Sequence, residues 1–285
     1  MTAVDRNHRM ELQYDGTGLH GWARQEGLLT VEGCLGAAFR TALGNSPPLR
    51  VAGRTDAGVH ARRQVASVHL PVGTDLARLA RSLNALTPPG IAVTCITPAP
   101  AGFDARRDAV SRTYRYFLST GEVVSPFWAL YSWHARGRIN LLAMRECAAL
   151  VAGRHDFTAF TPGQSEHAFF SRLVSRCAWN KMGGGPSAAP PRAVGGLVYL
   201  EVEAEAFLRH MVRTLVGTMV EVAQDTRTLA DFGRLLQGAP REAAGPTAPP
   251  QGLFLWDVRY GTGFSPPTSP PATGRSWAPD PGTSA

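Results

Sequence analysis

The chain has 285 residues, 44% hydrophobic and 18% charged, enough to bury a core without disulfides or a structural metal, which excludes stapled miniproteins. No apolar stretch reaches the roughly 18 residues that span a bilayer, so no membrane insertion is expected. Lys and Arg number 29 against 22 Asp and Glu, and the net charge of +7 favours an acidic partner, nucleic acid above all.

In chain order, Met10–Asp15 reads as a strand, and Thr30 caps a helix with Val31, Cys34, Leu35, Ala38, Phe39 and Ala42 on one face. Val65–Leu70 alternates as a strand. Thr74 opens a second helix through Leu76, Leu79, Leu83 and Leu86, stopped by Pro88 and Pro89. The recipe then repeats with strand Thr113–Ser119, a helix from about Asn140 to Val151, and strands near Phe169–Lys181 and Leu197–Ala204. A long helix from Phe207 and strand Leu253–Tyr260 complete it. The pattern predicts an α+β fold in two similar halves, 1–109 and 110–260, followed by a disordered tail at 261–285 rich in Gly, Pro, Ser and Thr. Gly183–Gly196 reads as a floppy hairpin tip between two strands. Cys34, Cys95, Cys147 and Cys177 have neither zinc-ligand nor redox-pair spacing, and read as reduced, mostly buried thiols. Met1–Met10 is charged and lacks an apolar segment, so no signal peptide is expected and a cytoplasmic address follows.

Gly16-Thr17-Gly18-Leu19-His20-Gly21 matches G-x-G-x-x-G after a strand, but the helix opens only at Thr30 and Leu35–Leu43 holds no acid for a ribose. It reads as a Gly-rich turn, not a dinucleotide site. In Val51–His60 a strand runs into Gly53-Arg54-Thr55-Asp56-Ala57-Gly58, a carboxylate between two glycines that permit close approach by a ligand. Asp56 is either an Asx-turn former or a catalytic carboxylate that the neighbouring Arg54 guanidinium keeps ionised.

Arg112-Thr113-Tyr114-Arg115-Tyr116 sends both tyrosines to one face of a strand, either as a base-stacking platform or as a sheet-core pair. In the helix from Phe207, Phe207, Met211, Leu215 and Met219 form a core face. Arg209 and Arg213, at i and i+4, share another face with His210, which is either a solvated basic stripe or the source of an arginine aimed into a cleft. Gly217 favours close packing one turn on.

Six blocks, YDGTGLHGWARQ (14–25), GRTDAGVH (53–60), SLNALTPPGIAV (82–93), FDARRDAVSRTYRY (103–116), GRHDFTAF (153–160) and FLRHMVRTLVG (207–217), resemble the ordered motif set of the TruA family of tRNA pseudouridine synthases. The resemblance implies that fold, with mixed and antiparallel sheets flanking a central active-site cleft. It also implies isomerisation of uridine at tRNA positions 38, 39 and 40 by a cytoplasmic homodimer that uses no metal, nucleotide or other cofactor. It assigns the catalytic nucleophile to Asp56, base flipping to Arg54, pairing with the aspartate to Arg213, and to Tyr114 stacking on the target base, with service as the base as its second role. Arg24, Arg62, Arg63, Arg106, Arg107, Arg112 and Arg209, with His210, are the expected tRNA contacts. Asp104, Ala23 and Thr214 depart from the family pattern, and an acid at 104 is expected to repel phosphate. Two rivals stand beside this reading: an RNA-binding protein without turnover, and a metal-dependent hydrolase built on His155, Asp156 and His167.

Overall fold

A computed structural model describes residues 5–163, 169–182 and 196–261. The expected hairpin tip at 183–195, the tail from residue 262 and His167 lie outside the described residues. The fold is α+β. The chain forms two compact units, one reaching Ser111 and resuming at Leu255, the other running from Arg112 to Phe254.

The first unit holds β1 (Asp5–Tyr14), α1 (Val31–Leu43), β2 (Arg50–Val51), β3 (His60–Pro71), α2 (Leu76–Leu86) and β4 (Ile91–Pro98). β5 (Ala109–Ser119) leads into the second, which continues with β6 (Trp133–His134), α3 (Leu141–Val151), β7 (Gly153–Asp156), β8 (Ser171–Lys181), β9 (Leu197–Ala204), α4 (Met211–Ala223) and α5 (Leu229–Leu235). β10 (Leu253–Tyr260) carries the chain back to the first unit.

In the first unit β1 runs antiparallel between β3 and β4, β2 pairs with β3, and β10 lies beside β3. Met10, Leu12 and Tyr14 alternate along β1 and are buried, as are Val31, Leu35 and Phe39 of α1 and Leu79 and Leu83 of α2. Period-2 and period-3.6 faces thus supply one core. β1 begins at Asp5 rather than Met10, because its polar start is paired rather than solvated: the Asn7 amide donates to the Phe103 carbonyl at 2.7 Å, and Arg9 meets Glu11 at 2.8 Å. α1 starts as expected, with Thr30 Oγ1 accepting the Gly33 N–H, but Cys34 and Ala42 are only half-buried. For α2 the cap is Asp75, which accepts the Arg78 N–H, while the Thr74 hydroxyl donates to the Pro71 carbonyl instead.

The second unit is an antiparallel run β5-β9-β8-β7, with β6 parallel to β5. Asn140 caps α3 through the N–H groups of Leu142 and Ala143. α3 contributes Met144, Cys147 and Val151 to the core, and α4 contributes Met211, Leu215 and Met219. α4 begins at Met211, not Phe207, because His210 adopts φ 62°, a left-handed backbone that no α-helix continues through. Arg209 and His210 therefore precede the helix, and the expected i, i+4 face shared by Arg209 and Arg213 does not exist. Of the four cysteines, all free, Cys147 and Cys177 are buried while Cys34 and Cys95 are half-buried.

Candidate active site

The loop that carries Arg54 and Asp56 leaves β2 and ends at β3, and it is held from both sides. On one side lies the Gly16–Trp22 segment. Trp22 N–H donates to the Thr55 carbonyl at 3.0 Å and Gly58 N–H to the Leu19 carbonyl at 3.0 Å, while His60 Nδ1 lies 3.0 Å from both Gly16 N and Asp15 Oδ1. A Cβ on Gly16 would stand 2.3 Å from the Val59 carbonyl oxygen, and one on Gly21, at φ 87°, 2.7 Å from that of Thr55. Only glycine fits either position. The G-x-G-x-x-G pattern thus has a purpose other than a phosphate cradle: it lets one backbone lie directly against the Asp56 loop. On the other side Gln64 Nε2 donates to the Gly53 carbonyl at 2.8 Å and to Tyr14 Oη at 3.1 Å, and Tyr14 Oη lies 2.8 Å from Thr55 Oγ1. Within the loop Val59 N–H closes a turn on the Asp56 carbonyl at 3.2 Å. Asp56 is half-buried. Arg54 is exposed and, among the described residues, holds no ion pair.

In the second unit β5 places Tyr114 opposite Val202 and Tyr116 opposite Leu200, and both tyrosines are buried. The Tyr114 ring stands edge-on to Phe207, centroids 4.9 Å apart. Tyr116 donates its hydroxyl to the Pro249 carbonyl at 2.8 Å, and burial pushes its phenol well above the ordinary range, against the opposing charge of Arg213. Arg213 sits in the first turn of α4, where its Nε donates to the Ala248 carbonyl at 2.8 Å and its own carbonyl accepts the Ala248 N–H. Gly217, one turn on, makes this docking feasible, since a Cβ there would lie 1.8 Å from the Pro246 carbonyl oxygen.

A family profile described as tRNA pseudouridine synthase matches residues 147–261. The protein named tRNA pseudouridine synthase A from Geobacter sulfurreducens is 38% identical over 256 residues, spanning 90% of this chain and 100% of its own length. Its namesake from Syntrophotalea carbinolica is 38% identical, over 88% of this chain and 95% of its own, and that from Acidiphilium cryptum 38% identical, over 90% and 96%. The chain belongs to the tRNA pseudouridine synthase A family.

For a member of the tRNA pseudouridine synthase A family, the expected tRNA arginines divide into two groups. Arg24, Arg62, Arg106, Arg107 and Arg209 are exposed, with Arg62 over the Trp256 ring at 4.8 Å. Arg63 instead clamps Glu11 at 3.0 and 3.2 Å and Asp257 at 3.0 Å; burial would lower its pKa, but these carboxylates hold it above the ordinary value. Arg112 is buried and donates to the Glu205 carbonyl at 2.7 Å. Arg63, half-buried and ion-paired, and Arg112, buried on a carbonyl, are thus less available to a phosphate than the five exposed arginines. Two of the three family departures also have internal partners. Thr214 is fully buried against the Thr247 hydroxyl at 3.2 Å, and Asp104 is buried, accepting the N–H groups of Arg106 and Arg107 and pairing with Arg50 and Arg107 at 3.4 Å. The phosphate repulsion expected of Asp104 is therefore offset by its own neighbours.

For the metal-hydrolase reading, Asp156 is occupied by the Thr158 N–H and hydroxyl, and His155 Nε2 lies 3.1 Å from the Ala152 carbonyl. Among the described residues no group of three His, Cys, Asp or Glu could hold a metal. Gln64 and Thr55 are the participants that the sequence reading missed. Their partners lie up to 50 positions away, and no local spacing announces them.

Proposed function

We propose that this chain converts uridine to pseudouridine at positions 38, 39 and 40 of the tRNA anticodon arm. The near-full-length similarity to proteins named tRNA pseudouridine synthase A carries the reading. In the reaction the N1–C1′ bond breaks, the uracil turns, and C5 bonds to C1′ as its proton leaves and N1 gains one. The isomerisation has no redox change and no leaving group beyond the uracil, so residues of this chain can supply all its chemistry.

Asp56 is the carboxylate that attacks or deprotonates the ribosyl side or adds to C6. Arg54 takes part in base flipping, Tyr114 stacks on the target base, and Arg213 pairs with the catalytic carboxylate. The half-buried setting of Asp56 in a pinned loop supports this, because a nucleophile gains from fixed geometry. Arg24, Arg62, Arg106, Arg107 and Arg209, with His210, contact the tRNA. Flipping a uridine costs a few kcal/mol that contacts elsewhere on the tRNA must offset, and a second copy of the chain supplies that surface in a cytoplasmic homodimer. Sedimentation at assay concentration reads the dimer directly, and a fully active monomer rejects it.

Incubation with unmodified tRNA tritiated at uridine C5 should release tritium and place pseudouridine at 38, 39 or 40. Asp56→Asn should abolish release while tRNA affinity stays within a few-fold. Tight binding by the wild type without release would make the chain an RNA-binding protein instead, and activity in Asp56→Asn would remove that residue from the mechanism.

A further inference from the structure

The backbone that presents Arg54 and Asp56 is gripped at both residues next to Arg54. Gln64 Nε2 spends its two N–H groups on the Gly53 carbonyl and the Tyr14 hydroxyl, and the Tyr14 hydroxyl, having accepted one, is free to donate to Thr55 Oγ1. Thr55 immediately precedes Asp56, and its carbonyl is bound in turn by Trp22. Tyr14, Thr55 and Gln64 are all buried. A polar chain in such a setting is costly unless every member is paired, so each side chain has one geometry. Burial pushes the Tyr14 phenol up to about 12, against the lowering by its bonds to Thr55 and Gln64. It keeps its proton at neutral pH and remains a donor.

We propose that Tyr14, Thr55 and Gln64 are positioning residues for the reaction, a hydrogen-bonded chain that fixes the backbone on either side of Arg54 and so the approach of the Asp56 carboxylate. This rests on Asp56 being the catalytic carboxylate. None of the three touches the reacting atoms; they act through the loop. Misplacing a reacting group by about 1 Å can cost on the order of 100-fold in rate without weakening binding, so the signature is a fall in kcat at constant KM.

The test compares Tyr14→Phe, Thr55→Val, Thr55→Ser, Gln64→Met and Asp56→Asn in the tritium-release assay, each checked for wild-type tRNA affinity. Thr55→Val and Tyr14→Phe keep shape and lose the bond, and each should lower kcat about 10- to 100-fold with KM within about twofold. Thr55→Ser keeps the hydroxyl and should return kcat to within about threefold of wild type. Because Tyr14→Phe and Thr55→Val remove the same bond, the double variant should be no worse than the slower single one. Should Gln64→Met fail to fold, the Thr55 pair still decides. Wild-type kcat in Thr55→Val and Tyr14→Phe while Asp56→Asn is dead overturns the positioning proposal alone, as does a Thr55→Ser as slow as Thr55→Val. An active Asp56→Asn overturns the reading beneath it.

Discussion

Asp104 shows how one side chain can be held by contacts of unequal worth. Its carboxylate accepts backbone N–H groups from Arg106 and Arg107, as a helix-capping side chain does, and it also faces the guanidinium groups of Arg50 and Arg107 at 3.4 Å. Both guanidinium groups are more than 70% exposed, so each ion pair is worth less than about 1 kcal/mol, whereas losing a capping acceptor costs about 0.5–2 kcal/mol. We expect Asp104→Ala to destabilise by about 1–2 kcal/mol in urea unfolding, and Arg50→Ala by less than about 1 kcal/mol. Burial alone would raise this carboxyl's pKa, but the two N–H groups and the arginine charges together hold it below the ordinary value. A depressed folded pKa contributes stability that is complete above the unfolded value, about 3.9, and is lost as pH falls through the folded value. The gap between wild type and Asp104→Ala should therefore be flat from pH 7 to about 5 and shrink below about 4. A gap that widens on acidification would show that burial outweighs both the N–H groups and the arginine charges, so that the folded carboxyl titrates above its unfolded value.

At the scale of elements, α4 is placed by what its glycine allows. The segment 245–249 docks on it through Gly245 N–H to Thr218 Oγ1 at 3.1 Å and the paired bonds between Arg213 and Ala248. Ala in place of a helical Gly normally gains up to about 1 kcal/mol. Here the new Cβ would meet the Pro246 carbonyl oxygen at 1.8 Å, a backbone atom that can yield only by undocking the segment. Overpacking of this kind costs about 1–3 kcal/mol, so Gly217→Ala should lower the melting temperature rather than raise it. A variant as stable as wild type would mean that the segment moves away at little cost.

The same element shows where a sequence is legible. β9 and β10 lie where their apolar runs predict, Thr30 caps the helix it was expected to cap, the helix expected from about Asn140 begins at Leu141, and the tight packing at Gly217 was anticipated. β6, β7 and α5 escaped because two to seven residues carry too little periodicity, and the start of α4 was misplaced because nothing in Phe-Leu-Arg-His announces a left-handed histidine. Residue types pointed to the Asp56 loop. Its supports did not stand out, because glycines that accommodate a distant backbone look like any loop glycines.

On the whole molecule, the charge of +7 overstates the surface available to a polyanion. Arg63 is ion-paired with Glu11 and Asp257, and Arg112 is buried on a carbonyl, which leaves Arg24, Arg62, Arg106, Arg107 and Arg209 as the exposed members of the expected tRNA set. Each phosphate contact contributes about −0.7 to −0.9 to the slope of log affinity against log salt, so five predict about −3.5 to −4.5 and seven about −5 to −6. Between 50 and 200 mM salt the five-contact case loses affinity by about 10²- to 10³-fold. Single variants separate the two groups further. Arg24→Gln or Arg209→Gln should make the slope shallower by about 0.7–0.9, because each removes one released counterion. Arg63→Gln should leave the slope unchanged and instead lower the melting temperature, since it leaves the buried Glu11 with Arg9 as its remaining arginine and removes the ion pair to Asp257. A wild-type slope near −6 that Arg63→Gln reduces would show that this guanidinium leaves its carboxylates when tRNA binds, and a slope flatter than about −2 would move the RNA surface away from these arginines altogether.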